Sequence, residues 1–170
     1  MSEPVKQGKK DRYLLKFIVK IGIFALIAAA ILIFVITFRR VSGNNMFPSI
    51  RDGDLCILYK LGNYHMGDVV YYKCGDTKKF GRIVATEGQE IDFPEEGGYL
   101  LNGFVPSEEI VYQTFKDEDD QASYPRAVGN GCFYVMNDFR SDTKDSRKTG
   151  DVQENDIIGK VVYVLRRRGF

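Results

Sequence analysis

The chain has 170 residues, 44% of them apolar, enough for one small domain with a real core and too few for several. A formal net charge of +1 excludes the bulk basic character of a nucleic-acid binder. Three cysteines (Cys56, Cys74, Cys132) and a single histidine exclude a disulfide-dense scaffold, a CxxC-type zinc site and any histidine-based metal centre.

The near-neutral total hides an asymmetry. Residues 1–20 form a basic tail, in which Lys6, Lys9, Lys10, Arg12, Lys16 and Lys20 stand against two acidic residues. The rest of the chain is left with 18 basic and 21 acidic residues, a net of −3. Residues 21–38 then carry no charge and only one strongly polar side chain, Thr37. At about 1.5 Å per residue this run spans about 27 Å, close to the roughly 30 Å core of a bilayer. A buried core helix would not be apolar all round with charges at both ends. A cleaved signal peptide has a shorter apolar region and small residues after it. Here Ala28-Ala29-Ala30 lies inside the run and Arg39-Arg40 closes it, which reads as an uncleaved transmembrane helix. The six basic residues before the span outweigh the two after it, so the positive-inside rule places the N-terminus in the cytoplasm. The expected organisation is a tail over 1–20, a span over 21–38 and an extracellular domain over 39–170.

That domain reads as β. Residues 54–60, 68–74, 80–86, 132–136 and 157–165 are short runs rich in β-branched and aromatic side chains. Asn102-Gly103 between Leu101 and Phe104 is a type I′ hairpin signal, and turn residues at 51–53 and 130–131 separate other runs. Strand–helix alternation is missing, which argues against a parallel α/β sheet. A short helix is expected only around 144–150. The acidic run 117–120 lacks the EF-hand spacing and reads as a solvated loop rather than a metal site. His65 is expected on an exposed loop, the cysteines as small core residues, and Arg166-Arg167-Arg168 as a solvated strand end.

The chemistry sits in four ordered segments. Behind the apolar run comes Gly43-Asn44-Asn45-Met46-Phe47-Pro48-Ser49, then Gly67-Asp68-Val69-Val70, then Phe80-Gly81-Arg82-Ile83-Val84. Last comes Met136-Asn137-Asp138-Phe139-Arg140-Ser141-Asp142-Thr143-Lys144-Asp145-Ser146-Arg147, with Gly159-Lys160-Val161 after it. In this order, behind an N-terminal anchor, the segments resemble those of the type I signal peptidases over essentially the whole chain. The resemblance implies a mostly β, antiparallel, barrel-like fold of the signal peptidase/LexA type, carried on one helix.

The departures from that pattern matter more. In the family, a serine after G-x is the nucleophile, and a lysine before the arginine of the later strand takes its proton. Here those positions hold Asn45 and Gly81. A carboxamide is a poor nucleophile, and glycine has no side chain to act as a base. Ser42 and Ser49 lie three and four residues from Asn45, about 10 Å or more along an extended chain. Lys79 faces the same side of its strand as residue 81, about 6–7 Å along it. Asn137 and Phe139 stand where the family has Gly and Asn. What the resemblance leaves is a vestigial peptide groove at Gly43, Asn44, Asn45, Met46, Pro48, Arg82 and Thr143. A structural brace of Asp138, Arg140, Asp145, Ser146 and Arg147 would support it. An extended peptide needs only main-chain hydrogen bonds and fitting pockets to bind there.

Signal-peptidase-like proteins of Gram-positive pilus loci resemble this chain in lacking the dyad. The resemblance therefore implies a membrane-anchored accessory factor in sortase-dependent pilus assembly. Its partner would be a pilin or its signal peptide, with sortase as a further candidate, no cofactor and no nucleic acid. The alternative is an active serine endopeptidase with a non-standard nucleophile.

Overall fold

The apolar run is helical, but the helix starts and stops earlier than its composition suggests. In the computed structural model, which describes residues 7–108, 112–117 and 122–166, helix α1 spans Gln7–Val35. Its segment Arg12–Val35 has a mean hydropathy of 2.9 and is long and apolar enough to cross a membrane. Leu14, Phe17, Phe24, Leu32 and Phe34, spread around the helix, are all more than half exposed. Residues 36–38, expected to continue the span, belong instead to strand β1 (Ile36–Arg40). Ile36, Thr37 and Phe38 are β-branched or aromatic and fit a pleated ladder better than a helix end.

The β-domain is described by itself. Strands β2 (Leu55–Tyr59), β3 (Val69–Cys74) and β4 (Thr77–Thr86) follow, with β4 starting three residues before its expected position. Three short strands come next: β5 (Glu90–Asp92), β6 (Leu100–Leu101) and β7 (Arg126–Ala127). Then come β8 (Cys132–Met136), the four-residue helix α2 (Ser146–Thr149), β9 (Val152–Gln153) and β10 (Ile157–Leu165). One sheet has the order β1-β2-β10-β3-β4-β8-β9; the other is β6-β5-β7. The last strand is thus inserted between β2 and β3, with Lys160 opposite both Tyr59 and Val70. β3 and β4 form a hairpin with Tyr72 opposite Lys79 and Val70 opposite Gly81. The class is mostly β, as expected, but the large sheet is open rather than a closed barrel. Its edges are β1 and the two-residue β9, which has few backbone groups to offer.

The Asn102-Gly103 hairpin forms as its sequence requires. Both residues have positive φ (52° and 79°), and Leu101 and Phe104 exchange backbone hydrogen bonds of 2.8 and 3.0 Å.

β4 feeds all three parts of the core. Phe80 packs with Val41, Met46, Ile50, Cys56 and Leu58. Ile83 packs with Val70, Tyr72, Val135 and Ile157. Val84 packs with Ile91, Phe93, Tyr99, Tyr134 and Met136. Residues 81 and 82 are therefore fixed between clusters. Cys56 is buried, Cys74 and Cys132 are half-buried, and the His65 side chain is exposed at 73%. The acidic run at 118–120 and residues 167–168 lie outside the described residues.

Candidate functional site

The loop after β1 is tied at both ends. Val41 N–H donates to the Asp54 carbonyl (2.8 Å), Gly53 N–H to the Val41 carbonyl (3.0 Å), and Gly43 N–H to Asp52 Oδ1 (2.8 Å). Met46 and Ile50 anchor it in the core. Asn45, between these anchors, faces β4 and the loop after β8. Its Nδ2 donates to the Phe80 carbonyl (2.7 Å) and to Asn137 Oδ1 (3.0 Å), and its own carbonyl accepts from Phe139 N–H (2.9 Å). Asn137 continues the chain of bonds, donating from its N–H to Asp145 Oδ2 (2.9 Å) and from Nδ2 to the Asp142 carbonyl (2.8 Å). Both amide hydrogens of Asn45 are thus committed to scaffold acceptors. Among the described residues, its backbone N–H and its Oδ1 have no partner.

Across from Asn45, β4 presents Gly81. A Cβ at this position would lie 2.5 Å from Val135 Cγ1 and 3.0 Å from Tyr72 Cε1. Val135 and Tyr72 are both fully buried. The space that a residue-81 side chain would need is therefore occupied by the Tyr72 ring and the Val135 methyl. Among the described residues, the Tyr72 hydroxyl has no hydrogen-bond partner. Burial pushes its pKa above the usual phenol range, with Cys74, Asp145 and Asp142 adding to the shift. Lys79 Nζ sits 5.8 Å from the Tyr72 ring centroid, and among the described residues no hydrogen bond joins it to Asn45. Ser49 Oγ accepts from Arg82 Nη2 (3.4 Å), a cation that cannot take its proton, and Ser42 is exposed. No hydrogen bond among the described residues joins either serine to a lysine or histidine.

The brace residues form a buried ionic network. Asp145 and Arg147 are both fully buried. Asp145 Oδ2 accepts from Arg147 Nη2 (2.6 Å), and Oδ1 accepts from Nε (2.9 Å) while also capping α2 through Arg147 N–H (3.1 Å). The remaining Arg147 donors go to the carbonyls of Arg140 (2.8 Å), Phe115 (3.0 Å) and Asp142 (2.9 Å). Ser146 Oγ accepts from Val135 N–H (2.9 Å), which fixes the valine beside Gly81. Arg140 donates to Glu108 (2.7 Å) and lies 5.5 Å from the Tyr99 ring. Arg82 pairs with Asp138 through two bonds, 2.7 and 2.6 Å, which raises its pKa further.

Two clefts draw walls from the loop that carries Asn45, although Asn45 itself lines neither. One, of about 480 Å3, is lined by Pro48, Ser49, Met66, Arg82, Tyr99 and Glu108 among others. The other, of about 440 Å3, is lined by Asn44, Phe47, Arg51, Asp52, Tyr112 and Phe139. The expected groove residues are divided between them. Asn44 lines the second cleft; Pro48 and Arg82 line the first. Gly43, at φ 87°, shapes the turn, and Thr143 is half-buried, its carbonyl accepting from Asp145 N–H (2.7 Å). Met46 is fully buried in the core and lines neither of these clefts, because its side chain anchors the loop. Sequence reading missed Val135, Glu108, Tyr99 and Tyr112, which come from separate segments with no spacing signal, and took Tyr72 as sheet packing, which its burial bears out. Phe139 and Asn137 were visible as departures from the late motif.

The family model described as "Signal peptidase, peptidase S26" matches residues 14–165. A signal peptidase IB of Staphylococcus aureus is 25% identical over 169 residues, covering 88% of each chain. A protein named inactive signal peptidase IA, also of Staphylococcus aureus, is 28% identical over 165 residues, covering 86% of this chain and 91% of the relative. A crystal structure of a signal peptidase I from Enterococcus faecalis V583 aligns with a TM-score of 0.48 at 18% identity, covering 58% of this chain and 97% of the other.

Proposed function

Since the chain belongs to the signal peptidase family, peptidase S26, we propose that it is a non-catalytic member that binds a peptide without cleaving it. The observation that carries this reading is the state of the two dyad positions. Asn45 has both its amide hydrogens tied to Phe80 and Asn137, and the space beside Gly81 is filled by Tyr72 and Val135. Acyl transfer needs a nucleophile and a base within about 3 Å of each other, and nothing at this position can serve as either. The relative named as inactive is in keeping with such members in the family. The Asn45 backbone N–H, a type of donor that survives side-chain replacement, remains open to a peptide carbonyl. The α1 helix anchors the protein in a membrane, and the basic tail orients it with the β-domain outside. By its resemblance to the dyad-lacking proteins of pilus loci, it acts as a chaperone or accessory factor in sortase-dependent pilus assembly. Its partner there is a pilin or its signal region.

Two measurements test this. Full-length protein incubated with a pilin precursor bearing its signal peptide gives no cleavage product by mass spectrometry, with an active signal peptidase as positive control. Deleting the gene abolishes pilus polymers while bulk secretion continues. Specific cleavage abolished by Ser42→Ala or Ser49→Ala would establish the peptidase alternative; normal polymers in the deletion strain would remove the pilus role.

A further inference from the structure

We propose that the aromatic cleft beside Asn45 is the pocket through which this protein selects its partner. Its occupant is a large apolar, preferentially aromatic, side chain of an extended peptide segment with an acidic residue two positions away, on the same face. This rests on the peptide-binding reading above and adds the chemistry of the peptide.

Three rings build the cleft. Tyr112 and Phe139 meet edge to face, with centroids 5.1 Å apart at 79°, and Phe47 carries the Arg51 guanidinium 5.4 Å from its centroid. The volume of about 440 Å3 suits a whole aromatic side chain, which buries roughly 150–250 Å2 in such a site. A methyl group would leave most of the cleft unfilled and gain little. The small residues that the family resemblance implies for cleavage substrates therefore do not match it. Phe139 stands where that resemblance has an asparagine, so one wall of the cleft is itself a departure from the family pattern.

The surroundings favour a peptide over a membrane surface. Asn44 lines the cleft, and the next residue has a backbone N–H and an Oδ1 with no partner among the described residues. An extended segment bonded to Asn45 through its main chain carries its neighbouring side chain about one residue step away, 3.2–3.4 Å along the strand. The rim is also polarised. Asp52 Oδ1 accepts from Gly43 N–H and holds the turn. The exposed Arg51 guanidinium has no carboxylate partner among the described residues. It is the group placed to meet the acidic residue. A carboxylate at the rim disfavours an anionic lipid surface.

The test is a selection of random decapeptides on full-length protein in lipid nanodiscs, followed by titration of fluorescein-labelled winners. The expected consensus is Phe, Tyr, Trp or Leu with Asp or Glu two positions away. Replacing the aromatic by alanine, or making Phe139→Ala, weakens binding tenfold or more. Arg51→Glu, an exposed change that leaves the core intact, shifts the selected charged residue from acidic to basic. A consensus of Ala, Gly or Ser overturns the pocket assignment while keeping the peptide-binding reading. So does peptide binding that Phe139→Ala and Arg51→Glu leave unchanged in folded protein. If no peptide of any composition binds the wild type, both fall. If Phe139→Ala weakens association with phosphatidylglycerol vesicles and not with peptides, the cleft is a lipid contact and the proposal fails.

Discussion

A single methyl group added at residue 81 is expected to destabilise the protein. The new Cβ would sit 2.5 Å from Val135 Cγ1 and 3.0 Å from Tyr72 Cε1, against the 3.5–4.0 Å of a normal carbon contact. Neither neighbour has solvent to swing into, since both are fully buried, and Val135 N–H is held by Ser146. Overpacking of this kind costs about 1–3 kcal/mol. Reduced freedom of the unfolded chain offsets about 0.4–1 kcal/mol of it. Gly81→Ala is therefore expected to lose about 1 kcal/mol, within a span of about 0–2.6 kcal/mol. Val135→Ala alone leaves a void and loses about 1–3 kcal/mol. In the double variant the alanine at 81 moves into that void, so the loss falls short of the sum by about 1 kcal/mol or more. Urea unfolding of the full-length protein in detergent, followed by near-UV circular dichroism of its ten tyrosines, reads these differences. For the same reason Asn45→Ser/Gly81→Lys is expected not to become a peptidase. The lysine has no channel toward residue 45, and its ammonium would be desolvated without a partner. A stabilised Gly81→Ala variant, strict additivity with Val135→Ala, or signal-peptide cleavage by Asn45→Ser/Gly81→Lys would refute the filled-channel argument.

Asn45→Ala strips donors from the Phe80 carbonyl and Asn137 Oδ1 and is expected to cost about 1–2 kcal/mol by the same unfolding assay. Asp145→Asn leaves the buried Arg147 without its counter-charge; a loss of about 3–5 kcal/mol is expected, visible as a large fall in the urea midpoint. The Cys56 thiol is pushed up from 9.0 to about 11, by burial first and then by Asp54. The folded state thus holds this proton more tightly than the unfolded chain. Its contribution to stability is complete below about pH 9 and is lost as pH rises through about 11. Native Cys56 should resist iodoacetamide at pH 8 and react once urea unfolds the domain. Protease added to intact cells is expected to degrade the β-domain, and protection of that domain would reverse the assigned orientation.

Much of the fold was legible because its signals are local. The strands at 55–59, 69–74, 132–136 and 157–165 and the Asn102-Gly103 turn are dictated by side-chain shape and backbone freedom within a few residues. Strands β5, β7 and β9 were not legible, and β6 only through the turn that follows it. With two or three residues each, they exist only because a partner strand supplies the hydrogen bonds. The apolar helix ends at Val35, before the apolar run does, for a related reason. Apolarity favours a span through Phe38, but pairing in the sheet draws Ile36–Arg40 into β1. An open sheet rather than a barrel is likewise decided by which edges meet, which no local pattern encodes.

The site divides in the same way. Sequence alone determined that residue 45 carries a carboxamide and residue 81 no side chain, and that an acidic and a basic residue at 145 and 147 share one turn. Those are statements about covalent chemistry and short spacing. Only the tertiary structure decided what fills the place of the missing side chain. Tyr72 and Val135 come from different strands and converge on Gly81 because β3 and β8 both pair with β4. It also decided that Met46 is buried in the core, and that Phe47, Tyr112 and Phe139 share a cleft. Contacts between residues 9 to 92 positions apart depend on packing, and packing is settled by the whole chain at once.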